Sequence, residues 1–220
     1  MLKYVESTVI VVFDCILSKL WYTIFRMVMT MCGRYNFSKD SSSEMVQEVL
    51  QSLRSRNIEV KTGEVFPGDI AAVVASNRKL EPQTFAMRWG YQLPDTKLVF
   101  NARSETASQK SMFADGMQQR RCLIPADAYY EWQKTGSRKQ KYEIAPSDAE
   151  GFFLAGIYRI QQGRPEFSVL TKEPVESIAF IHNRMPVILP RDVMSDWLNP
   201  RFNGIEILNT AVGDMKYVQC

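Results

Sequence analysis

Apolar residues fall at helical spacing in one stretch early in the chain and at strand spacing in many. After Ser41-Ser42-Ser43-Glu44, a capping-box pattern, Met45, Val46, Val49, Leu50 and Leu53 share one helical face, so a scaffold helix is predicted there. Residues 84–89 put Phe85, Met87 and Trp89 on alternate positions and stop at Gly90, the pattern of a half-buried strand. Residues 58–60 and 70–75 read as short strands on either side of a turn at Phe66-Pro67-Gly68, and Leu98-Val99-Phe100 as another. Residues 121–125 predict a buried strand that ends at Pro125. Between Glu131-Trp132 and Tyr142-Glu143-Ile144, residues 134–141 contain Gly136 and four basic residues and predict a hairpin tip. Residues 152–158 and 167–170 are strands by apolar and aromatic content, and residues 192–198 a short helix ended by Asn199-Pro200. Many short strands, few helices and no βαβ alternation predict an α+β fold, one domain with a bent, largely antiparallel sheet and a few flanking helices.

Residues 1–30 break this pattern, being rich in Val, Ile, Phe, Leu, Trp and Met with little turn chemistry. Asp14 and Lys19 interrupt the apolar runs well below the roughly 18 residues needed to span a bilayer. No small-residue cleavage site precedes Cys32. Met27, Met29 and Met31 are alternative starts. The expectation is that translation begins at Met31, that residues 1–30 are an upstream extension, and that residues 31–220 are the functional domain. An apolar leader that is removed or that associates with membrane is the rival.

Composition adds mainly exclusions. A net charge of +3 in 220 residues permits a local basic groove without announcing a nucleic-acid protein. Cys15, Cys32, Cys122 and Cys220 are scattered, with neither C-x-x-C spacing nor partnering histidines, which argues against a zinc site or disulfide framework and for a reducing cytoplasm. His182 is the only histidine, so any His-dependent chemistry has one candidate. No phosphate-binding glycine loop or H-E-x-x-H occurs, and neither a metal nor a cofactor is expected.

The stretch Met31-Cys32-Gly33-Arg34-Tyr35 changes the picture. A start at Met31 followed by its removal would leave Cys32 with an α-amine and a thiol on adjacent carbons. An α-amine titrates at about 7.7–8.0, so part of it is a neutral nucleophile at pH 7 that condenses with an aldehyde to an imine. The thiol then closes onto the imine carbon to give a thiazolidine. Cys32 as a small buried hydrophobe is the alternative from this stretch alone. Three more polar stretches end predicted strands, where a sheet presents side chains to a cleft: residues 101–105, Glu131-Trp132, and His182-Asn183-Arg184-Met185-Pro186.

In this order and at these spacings, the segments MCGRY, NARSE, RCLIPADAYYEW and HNRMPVIL resemble the SRAP domain family, named for SOS response-associated peptidase and also for abasic site processing. The resemblance implies an N-terminal cysteine that forms a covalent thiazolidine with the ring-opened aldehyde of an abasic site in single-stranded DNA, shielding the lesion in the DNA damage response. It matches Cys32 to the nucleophile, Asn101 to the amide that orients the reacting group, Glu131 to the catalytic carboxylate and His182 to the histidine beside it. Arg34 and Arg103 match phosphate-contacting arginines. Crosslink reversal and lyase activity at abasic sites are implied as well.

Chemistry supports these roles independently. A Glu131 carboxyl with an elevated pKa, held in a partly desolvated cleft against Trp132, suits the opening of a closed sugar and the protonation of a departing hydroxyl. Trp89, Trp132 and Pro67 offer apolar surface for flanking bases, with core packing an equal alternative for the tryptophans. The partner expected is single-stranded DNA, or a single-to-double-strand junction, containing an abasic site. A cytoplasmic monomer, nucleoid-associated when bound to DNA and not attached to membrane, completes the expectation. Three departures stand out: residues before Cys32 would lock its amine in a peptide bond, Ala128 replaces a more usual glycine, and a short C-terminus leaves a final strand in doubt. The alternatives are a thiol autopeptidase that removes the residues before Cys32 with His182 as base, and a DNA-binding module whose cysteine is structural.

Overall fold

The computed structural model describes residues 32–220, and the expectations for residues 1–30, with Cys15 and Met31, lie outside the described residues. Met31–Cys220 forms one compact unit. Five strands close on themselves: β3 (Ile70–Ser76), β4 (Pro82–Trp89), β8 (Arg121–Ala126), β11 (Phe152–Gln161) and β12 (Arg164–Lys172), in the circuit β12-β4-β3-β8-β11 and back to β12. The short strands β7 (Asn101–Arg103), β13 (Met185–Pro186) and β14 (Ile188–Leu189) extend this barrel. The second sheet is antiparallel throughout, in the order β15 (Met215–Gln219), β10 (Arg138–Pro146), β9 (Ala128–Thr135), β1 (Tyr35–Phe37) and β2 (Gly63–Val65). A small ribbon pairs β5 (Tyr91–Gln92) with β6 (Leu98–Val99).

The bent, largely antiparallel sheet is thus realised as a barrel with a sheet against it. Among the described residues only β12 makes parallel pairs, with β4 and then with β7. Closure removes the barrel's free edges and lets β8 be buried at every position. Gly156 on β11 shows how tightly the walls meet: a Cβ there would lie 2.5 Å from Ile124 Cδ1 and 3.2 Å from the Ser168 carbonyl oxygen. The chain crosses from barrel to sheet at Asp127, between β8 and β9, where the carboxylate accepts the Ser38 N–H at 2.7 Å and pins β1 alongside.

The helices fill in the outside. Helix α1 (Glu44–Ser55) buries Val46, Val49, Leu50 and Leu53 as its spacing predicts, and Ser43 caps it by accepting the Val46 N–H. The others are α2 (Ser104–Ala107), α3 (Ser111–Gln119), α4 (Met194–Leu198) and α5 (Gly204–Leu208). No helix among the described residues is long and apolar enough to cross a membrane.

Several expectations need correction. The strand lies at Gly63–Val65 rather than at residues 58–60. A final strand is present: β15 has one buried residue, Met215, so its apolar pattern is faint, and its backbone pairing with β10 makes it a strand. Helix α3 carries a weak local signal because Gly116 costs helix propensity, yet that glycine sits under Ile157, where a Cβ would come within 3.1 Å. Trp89 is not a surface for bases. Only 1% exposed, it lies parallel to Phe167, packs on Tyr35 and Phe100, and donates its indole N–H to the Phe100 carbonyl at 2.9 Å. It welds sheet to barrel.

Candidate active site

Four chain segments converge where β1, β7 and β9 meet the loop before β13. Cys32 lies three residues before β1, Asn101 opens β7, Glu131 sits within β9, and His182 lies three residues before Met185. Asn101 Nδ2 donates to the Cys32 carbonyl oxygen at 3.1 Å. The Cys32 Sγ, on a residue only 5% exposed, lies 4.0 Å from the Arg184 carbonyl oxygen. His182 Nδ1 stands 3.9 Å from Glu131 Oε1. The structure therefore brings Cys32, Asn101, Glu131 and His182 together.

Electrostatics push the titration of both acids of this cluster upward. Burial pushes the Cys32 thiol well above its usual range, and the neighbouring Glu131 adds to the effect. Burial also raises the Glu131 carboxyl, and outweighs the opposing influence of His182 and of the Cys32 hydrogen bonds. Glu131 is only 4% exposed, and a lone buried carboxylate is costly. A carboxyl that burial makes hold its proton more tightly than usual, beside a thiol held the same way, suits the role of a general acid.

Alternation along β9 turns Tyr129 to the same face as Glu131, a residue that sequence reasoning passed over although the two-residue spacing was available. Its hydroxyl, Asn101 Oδ1 and Glu131 Oε1 are buried with no hydrogen-bond partner among the described residues. Three unsatisfied polar atoms so close together cost stability, each on the order of 1–3 kcal/mol, and such groups concentrate where a ligand completes them. No group of three or more His, Cys, Asp or Glu among the described residues is placed to hold a metal ion.

Arg184 and Glu105 were also passed over, although both lie inside the polar segments. The Arg184 N–H donates to His182 Nδ1 at 3.1 Å, while its carbonyl faces the Cys32 thiol. Its guanidinium pairs in bidentate fashion with Glu105, both contacts 2.8 Å, and also donates to the Thr171 carbonyl at 2.6 Å. One buried side chain thus anchors the peptide that touches both His182 and Cys32. Arg184→Met is expected to lower stability by about 2–3 kcal/mol in urea unfolding, through loss of charge-assisted bonds inside the protein. Glu105→Gln should cost about 1 kcal/mol or less, because the Glu105 side chain is 46% exposed. Equal losses would show that the clamp does not depend on the buried partner.

The DNA-contact candidates divide. Arg34 and Trp132 are neighbours, the guanidinium carbon lying 4.7 Å from the indole centroid and 4.4 Å from the Phe66 centroid. Pro67 is half-buried in the turn after β2, next to Phe66. Arg103 is exposed at the end of β7, two residues from Asn101. Trp89 lies in the core described above.

The chain is similar to known proteins over most of its length. The profile of the SOS response associated peptidase (SRAP) family matches residues 31–216. The abasic site processing protein YoaM of Bacillus subtilis is 33% identical over 197 residues, covering 83% of this chain and 85% of its own. The abasic site processing protein YedK of Escherichia coli is 26% identical over 190 residues, 82% of this chain and 85% of its own. A crystal structure of a protein from Bacteroides thetaiotaomicron superposes with a TM-score of 0.68 at 22% identity, over 86% of this chain and 91% of that one, which shows a common fold.

Proposed function

Because the chain belongs to the SRAP family, we propose that it processes abasic sites in DNA by linking Cys32 to the lesion as a thiazolidine. The acting form begins at Cys32 after Met31 is removed, and residues 31–220 are the working domain. The observation that carries the reading is the junction of Cys32, Asn101, Glu131 and His182 around a buried carboxyl whose pKa burial raises.

The chemistry follows in order. The free α-amine of Cys32 attacks the aldehyde carbon of the ring-opened sugar to form a carbinolamine. Glu131 protonates the departing hydroxyl, water leaves, and the imine remains. The Cys32 thiol adds to the imine carbon, forming the C–S bond, and its proton passes to nitrogen. Amine, thiol and aldehyde thus become thiazolidine plus one water. Asn101 holds the residue bearing both nucleophiles through the Cys32 carbonyl, and its unpartnered Oδ1 suits the amine as an acceptor. Run backwards with Glu131 and His182 as proton donors, the same steps reverse the link. At the imine stage the proton on the adjacent sugar carbon becomes acidic, which opens the lyase route.

The partner is single-stranded DNA or a single-to-double-strand junction, bound by the protein as a monomer in the cytoplasm and at the nucleoid. Arg34 and Arg103 take phosphates, and Trp132 and Pro67 border the bases. A thiol autopeptidase needs a thiolate, and burial together with Glu131 pushes the Cys32 thiol the other way.

The test compares the chain begun at Met31 with the full 220-residue chain, each incubated with an oligonucleotide bearing one abasic site and run on a denaturing gel. An adduct from the short form alone is expected, since residue 31 otherwise ties up the amine. No adduct from the short form would sink the reading. An adduct from both, with the long form shortened to Cys32 by mass, would favour the autopeptidase.

A further inference from the structure

Beside the site, on the other face of the second sheet, two cations share one carboxylate. Glu64 on β2 contacts Arg34 Nη1 through Oε2 at 2.9 Å and Lys141 Nζ through Oε1 at 2.7 Å. Its carboxyl feels partial burial, which raises it, but Lys141 and Arg34 outweigh this and hold it below its ordinary value. Both cations are also held without Glu64. Arg34 lies between the rings of Phe66 and Trp132, and Lys141, opposite Trp132 in the β9–β10 register, lies 3.9 Å from the Tyr130 ring centroid. The carboxylate comes from a three-residue strand at the edge of its sheet, the least constrained member of the trio. Arg34 is two residues from Cys32, and Trp132 is next to Glu131.

We propose that Arg34 and Lys141 form a subsite for a backbone phosphodiester and that Glu64 fills it in the DNA-free protein, so that DNA enters by displacing one carboxylate from two cations. This rests on the DNA reading above. A phosphodiester offers the same unit negative charge on two oxygens that the carboxylate does, and aromatic packing keeps the cations in place when the carboxylate swings away. Glu64 then acts as an internal competitor. It lowers affinity for undamaged strands, which have only phosphates to offer, and leaves covalent capture to hold the damaged ones.

The experiment uses the chain from Met31 and measures fluorescence anisotropy with an undamaged single-stranded oligonucleotide over a range of salt concentrations. Glu64→Gln is expected to tighten binding about three- to tenfold at low salt, because partly exposed ion pairs are individually weak competitors. Glu48→Gln, on the exposed side of α1, changes net charge equally and should move affinity far less. Adding Lys141→Met to Glu64→Gln should return most of the gain. If Glu64→Gln crosslinks an abasic site like the parent but binds no tighter than Glu48→Gln, the subsite is overturned and the DNA reading stands. If the parent neither binds nor crosslinks DNA, both fall.

Discussion

Cys32→Ala, made in the chain that starts at Met31, should yield no denaturation-resistant adduct with an abasic oligonucleotide, a complete loss rather than a slowing. Alanine keeps the α-amine and removes the atom that closes the ring, so the reaction halts at a hydrolysable imine. Treatment with borohydride separates the two stages. The Cys32→Ala protein should be trapped on the DNA as a reduced amine when borohydride is present and not otherwise. Fold loss is not the cause of such a result, because the thiol occupies little volume and its contact with the Arg184 carbonyl is long, at 4.0 Å. A stable adduct from Cys32→Ala without reductant would remove Cys32 from the mechanism.

Glu131→Gln should slow adduct formation by about 10²- to 10³-fold, since the amide keeps shape and polarity but cannot deliver a proton. The same change should stabilise the protein, and the sign follows from the raised carboxyl. A group whose folded pKa lies above its unfolded value favours folding while both states are protonated. That contribution is lost as pH rises through the folded pKa, where the buried carboxyl must either ionise at a cost or hold its proton against the solution. Glutamine has nothing to lose. Its melting temperature relative to the parent should therefore be higher at pH 8 than at pH 4, by an amount on the order of 1 kcal/mol or about 2–4 °C. Unchanged rates would take the acid role from Glu131, and an equal offset at both pH values would mean that its carboxyl is not strained by burial. Activity bought with stability in this way is common where a titrating group is kept in a dry place.

Much of the site could be read from the chain because each catalytic candidate sits in a short polar segment at the end of an apolar one. Cys32, Asn101, Glu131 and His182 stand out against their neighbours whatever the fold, and α1 and β8 follow from spacing and apolar runs that are local properties of the backbone. The same reasoning failed where the deciding partner was distant. Trp89 sits on the apolar positions of a half-buried strand, which leaves open whether it packs in the core or faces bases, and only Tyr35, Phe100 and Phe167, brought in from three other segments, put it in the core. Strand β15 and helix α3 have weak patterns and exist because β10 and β11 supply the pairing and the packing surface.

The pairings that tune the chemistry belong to this second kind. Arg184 faces Cys32 across 152 positions and Glu105 across 79, and Glu64 meets Arg34 and Lys141 from a strand that carries no hint of either. Periodicity reports on residues two, three or four apart, the only neighbours that backbone geometry guarantees. The chain thus carries in its own order the candidate reacting groups and the alternation that turns Glu131 and Tyr129 to one face. Closure of the barrel, the clamp on the His182 loop, the raised pKa of Glu131 and the carboxylate over Arg34 arise when segments far apart are packed together, because burial and charge act through space and not along the sequence.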